Sequence, residues 1–268
     1  MDIRSAQVAG GVELKGDSAL PALNPGRMPG VAHQVPSVTA AQMAEVDRRV
    51  VRDYRIGLVQ MMELAGRGLA EQARAMLGGS VVGRKIIVLC GMGNNGGGGM
   101  VAARHLHGWE AQVDAVLIGP MAMLKRSPKR QWTILKRLGL AASARIDPAL
   151  GRPDLIIDAI FGYGFHGRPR AQAARWIKWA NDQGCRILAL DVPSGLDATT
   201  GDPSIACVRA TVTLTLALPK TGLRAPEAAV NVGEIYLADI GVPPEVFRDI
   251  GLEVGHLFET GSIVRAPG

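Results

Sequence analysis

The sequence predicts an α/β protein built on a Rossmann-like, doubly wound, mostly parallel sheet with helices on both faces. Short, nearly continuous aliphatic runs alternate with segments of helical periodicity over most of the chain. One of these runs, residues 86–90, leads directly into residues 91–99, where six of the nine residues are glycine. Two later runs end in Asp158 and Asp191. Acids in such positions point to the carboxyl edge of the sheet, where open α/β sheets bind ligands.

The first predicted elements are two helices that precede the sheet. Residues 1–36 are rich in Gly, Pro and Ala without apolar periodicity, which predicts a disordered tail before a single domain over 37–268. Thr39 and Gln42 have the spacing of a capping box. Apolar residues then follow at intervals of three and four, namely Met43, Val46 and Val50. A second helix is predicted over 59–77, before a break at two glycines and a serine.

Six strands are predicted after these helices. They cover residues 86–90, 113–118, 155–158, 187–191, 212–216 and 235–238. The first four are almost entirely aliphatic, as parallel strands covered on both faces are. A helix is expected to start near Met100, after the glycines. Because Thr211, Thr213 and Thr215 alternate with apolar residues, the fifth strand is expected to have one less apolar face.

Composition and charge restrict the possible partners. Hydrophobic residues make up 47% of the chain, which is typical of a globular core, and three cysteines without metal-type spacing favour a reducing cytoplasm. Neither a signal peptide nor a membrane-spanning run is recognisable. The net charge of +6 permits attraction to phosphates, but the densest basic cluster, residues 125–137, has apolar residues at helical spacing. It is therefore expected to be a solvated helix face, and neither nucleic acid nor membrane is an expected partner.

The glycine-rich segment predicts a nucleotide-type ligand site. Gly91, Gly93 and Gly96 have the G-x-G-x-x-G spacing of dinucleotide-binding dehydrogenases. However, residues 116–120, at the end of the next strand, offer no acid to hold a ribose. No Gly-Lys-Ser/Thr follows either, which excludes a P-loop. The alternative is a glycine-rich turn that serves only tight packing.

Asp158 and Asp191 are candidate acids, bases or metal ligands, because burial raises a carboxyl pKa whereas a nearby cation lowers it. Helix capping or turn formation is the alternative for each. His166 and Lys220 could contact a phosphate. The solvated loop histidine is the favoured interpretation of His166, and an ordinary surface lysine is the alternative for Lys220. Asp197 is expected to form a turn with the glycines around it.

Three segments together resemble the YjeF N-terminal family: residues 88–97 (VLCGMGNNGG), 158–162 (DAIFG) and 190–197 (LDVPSGLD). The resemblance runs from about Pro36 to Pro243. It implies a Rossmann-like NAD(P)H-hydrate epimerase, commonly a homodimer. Such an enzyme interconverts the R and S forms of hydrated NADH and NADPH without a redox step, with a potassium ion nearby.

Transferred motif by motif, the resemblance implies three overlapping sets of site residues. Potassium would be held by Asn95, Asp158 and Ser194. Asp158 and Asp191 would be catalytic, moving protons to and from the hydroxyl of the hydrate and stabilising positive charge. The nucleotide would contact Asn94, Asn95, Gly96, Gly97, Gly98, Gly162, Tyr163, Gly164, Phe165, His166, Gly167, Arg168 and Asp191.

Two positions differ from the family pattern. Gly98 occurs where the family typically has an aspartate, and Leu64 occurs where an asparagine is usual. Losing one charged contact would weaken binding by roughly 1–3 kcal/mol. Two alternatives to the epimerase therefore follow: a weak or inactive nucleotide-binding module on the same scaffold, and an enzyme with an altered substrate. A conventional dehydrogenase is a third, which hydride-transfer assays would test.

Overall fold

A computed structural model of the chain describes residue 30 and residues 35–142, 145–146 and 150–266. Most of the tail predicted over 1–36 lies outside the described residues, and its disorder stays a prediction. Val35, near its end, is buried in an apolar cluster with Val38 and Met43. The packed part of the chain therefore includes at least this residue before the predicted boundary.

Seven α-helices occur in the part of the chain that the structure describes: α1 (Ala40–Arg52), α2 (Leu58–Met76), α3 (Asn94–Gly108), α4 (Arg126–Arg137), α5 (Ala171–Asp182), α6 (Ala229–Val232) and α7 (Pro244–Arg248). The strands there are β1 (Lys85–Cys90), β2 (Gln112–Leu117), β3 (Ala141–Ala142), β4 (Leu155–Ala159), β5 (Arg186–Leu190), β6 (Val212–Leu216), β7 (Glu234–Ala238) and β8 (Ile263–Arg265). None of the described helices is both long and apolar enough to cross a bilayer.

The eight strands form one sheet in the order β3-β2-β1-β4-β5-β6-β7-β8, parallel except for the antiparallel pair β7–β8. The order reverses direction between β1 and β4, which creates a crevice at their carboxyl ends. The predicted α/β class is confirmed, and each of the six predicted strands is present with both ends within one residue. The two short edge strands, β3 and β8, were not predicted.

Helices cover both faces of the sheet. On one face α2, α3 and α4 contribute Leu69, Leu106 and Trp132 to a core with strand residues such as Val88. On the other face α5 packs Trp176 and its neighbours against alternate strand residues. The predicted capping box at α1 is confirmed, since the Thr39 hydroxyl accepts from the Gln42 amide at 3.2 Å and the Gln42 side chain accepts from the Thr39 amide at 2.9 Å.

The predicted start of α3 near Met100 is wrong, because the helix begins six residues earlier, at Asn94. The glycines that were expected to form a ligand loop lie mainly in its first turns, where close neighbours exclude side chains. A Cβ on Gly96 would lie 1.9 Å from the Gly91 carbonyl oxygen, and one on Gly99 would lie 2.5 Å from the Ala159 Cβ. Tight packing, the alternative interpretation, accounts for Gly96 and Gly99. Their tertiary contacts outweigh the low helix propensity of glycine.

The alternating threonines make one face of β6 less apolar, as expected, but two of them lie in the interior. Thr213 and Thr215 are both fully buried. The Thr213 hydroxyl donates to the Val232 carbonyl at 2.7 Å, and Thr215 faces Asp191. Because each hydroxyl has a hydrogen-bond partner, these threonines are accommodated within a buried strand.

Candidate active site

A cavity of about 540 Å³ opens at the carboxyl ends of β1, β4, β5 and β6. Its lining comes from α1 and α2, the start of α3 and the segment that follows β4. Of the predicted ligand residues, the following line it: Asn94, Asn95, Gly98, Gly162, Tyr163, Gly164, Phe165 and Asp191. Its volume is in the range of small-molecule sites.

The remaining predicted residues lie elsewhere. Gly96 and Gly97 do not line the cavity, because both are buried within α3, Gly97 against the Met62 side chain. His166, Gly167 and Arg168 are exposed beyond the cavity wall. The structure therefore does not place these five residues in the cavity with the other predicted nucleotide contacts.

Asp191 follows β5 directly and is the buried carboxylate of the cavity wall. Its Oδ2 accepts from the Tyr163 amide at 2.8 Å, and its Oδ1 lies 2.5 Å from Lys220 Nζ. Both charged side chains are almost completely inaccessible to water. Burying a charged carboxylate requires a compensating cation and hydrogen-bond donors. Lys220 and the Tyr163 amide provide them, so Asp191 faces the cavity as one half of a buried ion pair.

Lys220 is fully buried, so it is neither the surface lysine nor the phosphate contact that the sequence suggested. Its ammonium lies on Asp191 and donates to the Thr215 hydroxyl at 3.1 Å and the Leu216 carbonyl at 2.8 Å. Three acceptors match the three protons of an ammonium group. Lys220 is therefore a structural partner of Asp191.

Asp158 lies within β4, behind the cavity wall, and is fully buried. Its carboxylate accepts from the Ser194 hydroxyl at 2.7 Å, the Ser194 amide at 2.8 Å and the Ile160 amide at 3.2 Å. Burial raises the pKa of Asp158 to about 6, although these donors act in the opposite direction. Because it does not line the cavity, direct proton transfer from Asp158 to a ligand does not fit this geometry.

Ser194 bonds Asp158 directly, and Asn95 is connected to Ser194 through the backbone of one residue, Phe161. The Phe161 amide donates to the Ser194 hydroxyl at 2.9 Å, and its carbonyl accepts from Asn95 Nδ2 at 2.9 Å. Asp158 takes part in no ion pair among the described residues. Oxygen atoms of an amide, a hydroxyl and a buried carboxylate without an ion-pair partner are the donor set that hard cations take, so the chemistry of these residues fits a hard cation.

The part of the cavity lining formed by the first two helices was not predicted from the sequence. Asp47 of α1 lines the cavity and accepts a 2.6 Å hydrogen bond from the Tyr163 hydroxyl. A signal was available, because Asp47 is four residues after Met43 and three before Val50 and so lies on the apolar face of its helix. Met62 and Lys125 also line the cavity, and no comparable sequence signal marked them.

Known proteins of similar sequence show which family the chain belongs to. The family model for the YjeF-related protein N-terminus matches residues 58–222. A protein of Dehalogenimonas lykanthroporepellens, named NAD(P)H-hydrate epimerase, is 42% identical over 216 residues, covering 81% of this chain and 86% of the relative. The chain belongs to the YjeF N-terminal family. A family member from Nitrosopumilus maritimus with the same name is 33% identical, covering 80% of this chain and 99% of the relative.

Other relatives of the YjeF N-terminal domain are longer. The bifunctional NAD(P)H-hydrate repair enzyme Nnr of Moorella thermoacetica is 38% identical over 217 residues, which are 78% of this chain but only 41% of that protein. Among solved structures, the yeast protein ynu0 superimposes with a TM-score of 0.74 at 24% identity, covering 86% of this chain and all of the yeast chain. This likeness establishes that the two share a fold.

The two departures from the YjeF N-terminal pattern occupy different places. Gly98 is buried in α3 and lines the cavity, and a Cβ there would lie 2.9 Å from the Leu190 Cδ2 atom. Leu64 lies on α2, is 46% exposed and does not line the cavity. Only the change at position 98 is placed to alter ligand contact directly.

Proposed function

We propose that this chain is an NAD(P)H-hydrate epimerase, an isomerase that interconverts the R and S forms of hydrated NADH and NADPH. The observation that carries the proposal is the buried Asp191 carboxylate on the wall of the cavity, ion-paired to Lys220. The name borne by the curated relatives at 33–42% identity supports the same reaction.

The chemistry requires a site that stabilises positive charge without transferring hydride. When the hydroxyl leaves the hydrated ring carbon as water, the ring nitrogen shares its lone pair and the ring becomes an iminium cation. Asp191, fixed by the Tyr163 amide and Lys220, provides a preorganised negative charge for that cation. Water can then return from either face, which interconverts the epimers. Apolar wall residues, including Met61 and Phe161, exclude bulk water from the ring.

The nucleotide's phosphates are proposed to lie at the start of α3. Asn94 and Asn95 form its first turn, where backbone amides lack helical partners and the dipole favours anions. Lys125 lines the same region of the cavity, and its own amide lies 3.4 Å from the Met92 carbonyl oxygen. These groups suit either NADH or NADPH hydrate.

We propose that Asn95, Asp158 and Ser194 hold a potassium ion beside this cavity. A bound cation would supply positive charge that lowers the cost of the buried Asp158 carboxylate and fixes the peptide after β4. Potassium chloride is expected to raise the Tm of the wild-type chain more than choline chloride at equal ionic strength. In Asp158→Asn that difference is expected to disappear, and equal shifts in both proteins would contradict the cation site.

The decisive experiment uses the separated S and R hydrates of NADH and NADPH. Purified protein is expected to convert each epimer to the same final ratio, far faster than buffer alone and without change in total hydrate. Asp191→Asn is expected to slow this conversion by about 10²–10³-fold, as loss of an electrostatic group does. Rates equal to those in protein-free buffer would overturn the proposed function.

A nucleotide-binding module with a weakened site is the second candidate, because Gly98 leaves an uncharged position on the cavity wall. If this reading is correct, Gly98→Asp would increase epimerisation or ligand affinity, whereas Gly98→Ala, which adds only the Cβ beside Leu190, would not. Robust activity of the unmodified chain favours the enzyme.

We also propose a homodimer in a reducing cytoplasm. The dimer follows from the family resemblance, and light scattering of the purified chain tests it. The compartment is supported by Cys90, Cys185 and Cys207, which are all free thiols.

A further inference from the structure

The cavity has a second carboxyl group, Asp47 of α1, that differs from Asp191 in its surroundings. One oxygen of Asp47, Oδ2, accepts from the Tyr163 hydroxyl at 2.6 Å, a neutral donor. No described residue bonds its other oxygen, and the side chain lines the cavity. Asp191, by contrast, is in contact with the buried ammonium of Lys220. The two acids therefore face the same cavity, but Asp191 is paired with a cation whereas Asp47 is bonded by a neutral hydroxyl.

The charges around Asp47 agree with this difference. Desolvation raises the pKa of Asp47, and the negative charge of Asp191 raises it further. The Tyr163 hydrogen bond and the positive charge of Lys220 act in the opposite direction but do not cancel the effect of burial. Paired carboxyls whose environments separate their proton affinities commonly divide acid and charge-stabilising roles.

We propose that Asp47 is the carboxyl that protonates the departing hydroxyl, with Tyr163 as its positioning residue, an inference that rests on the proposed epimerase function. The Asp47 proton passes to the hydroxyl oxygen as the carbon–oxygen bond breaks, and the ring nitrogen lone pair forms the carbon–nitrogen double bond. Water leaves, and Asp47 becomes a carboxylate. When a water molecule adds to either face, its proton returns to Asp47 and the electron pair returns to nitrogen.

Tyr163 connects the two acids of this mechanism. Its backbone amide donates to Asp191 and its hydroxyl donates to Asp47, so one residue determines where both carboxyl groups lie. The preceding residue, Gly162, permits this arrangement, because a Cβ there would lie 3.0 Å from Asp191 Oδ2 and 3.2 Å from the Asn95 amide oxygen.

The test begins with wild-type protein, whose activity on the separated hydrates must first be established, so that failure of the epimerase function is recognised separately. In active protein, Asp47→Asn is expected to lower kcat by about 10²–10⁴-fold with KM changed less than about threefold. The matched control is Asp53→Asn, the same chemical change at an exposed position beyond the end of the same helix. Its kcat is expected to stay within about twofold of the wild type.

The pH profile gives a readout that a merely structural role would not change. Because Asp47 must be protonated to act, kcat is expected to fall as pH rises through its pKa in the complex. Tyr163→Phe removes a donor that favours the carboxylate, so the fall is expected at higher pH than in the wild type. This variant keeps the aromatic ring and the backbone amide that bonds Asp191. Its pH profile therefore still tests the role of Asp47 if Asp47→Asn does not fold.

Two outcomes would overturn the proposal in a chain that is otherwise active. One is an Asp47→Asn protein with kcat within threefold of the wild type. The other is a Tyr163→Phe protein whose pH profile is unmoved or moves to lower pH.

Discussion

At the scale of single residues, Asp191 has an unusual backbone. Its φ is +69°, and the Val192 amide bonds the Leu190 carbonyl at 2.9 Å, which makes Asp191 the centre of a three-residue turn. Ala217, after the neighbouring strand, is the centre of a second such turn, with φ +61° and a 2.8 Å bond from the Leu218 amide to the Leu216 carbonyl. Such conformations are strained for residues other than glycine and persist where the surroundings determine them. Here Lys220 and the Tyr163 amide hold the aspartate in place.

The buried pair of Asp191 and Lys220 gives a prediction about stability. Lys220→Met leaves a carboxylate that is only 3% exposed without its cation, so it is expected to lower the free energy of unfolding by about 3–5 kcal/mol. The double variant Asp191→Asn with Lys220→Met is expected to recover much of this loss. Urea denaturation of the wild type, both single variants and the double variant measures the coupling.

A surface ion pair is the control for this cycle. Lys178 and Asp182 are 2.8 Å apart, but the lysine side chain is 78% exposed. Lys178→Met is therefore expected to change stability by less than about 1 kcal/mol. If the variants of the two lysines lost similar stability, burial would not be the origin of the effect.

At the scale of secondary structure, α3 links the glycine pattern to the site. Its first turn places Asn95 against the carbonyl groups of Phe161 and Leu190, at 2.9 and 3.2 Å. That approach is possible because Gly96 lies directly on the backbone of Gly91. The glycines thus let the helix come close enough to the ends of three strands for one asparagine to connect two of them.

Alanine substitutions at two ends of α3 test this explanation. Gly96→Ala would place a Cβ 1.9 Å from a backbone oxygen, and it is expected to lower stability by about 1–3 kcal/mol or more and to reduce activity by displacing Asn95. Gly108→Ala, on the same helix, meets no atom within 4 Å and is expected to add up to about 1 kcal/mol. Thermal unfolding compares them, and equal effects would contradict a packing role.

At the scale of the whole molecule, the net charge of +6 is unevenly distributed. The helix α4 carries five basic residues and no acid, and none of the five forms an ion pair among the described residues. Lys125, immediately before it, lines the cavity. The molecule therefore presents positive potential beside the entrance for a phosphate-bearing ligand.

This distribution predicts salt-dependent capture of an anionic substrate. The double variant Lys129→Gln with Arg130→Gln is expected to lower kcat/KM several-fold at low ionic strength, and the difference should vanish at about 0.5 M salt because the charges are then screened. Choline chloride varies the ionic strength at constant potassium. Lys136→Gln with Arg137→Gln, about 10 Å further along the helix, is the matched control and should have a smaller effect. Equal effects from the two ends would show that position relative to the cavity is irrelevant.

Local patterns in the sequence determined the sheet, the capped first helix and two of the strand-end acids, because aliphatic runs and helical spacing are properties of neighbouring residues. Only the tertiary structure decided that α3 begins at Asn94 and that Lys220 is buried on Asp191. It also decided that Asp47 faces Tyr163, 116 positions away in the chain. These features depend on contacts between distant segments, whose burial and close approach override local propensity and cannot be read from adjacent residues.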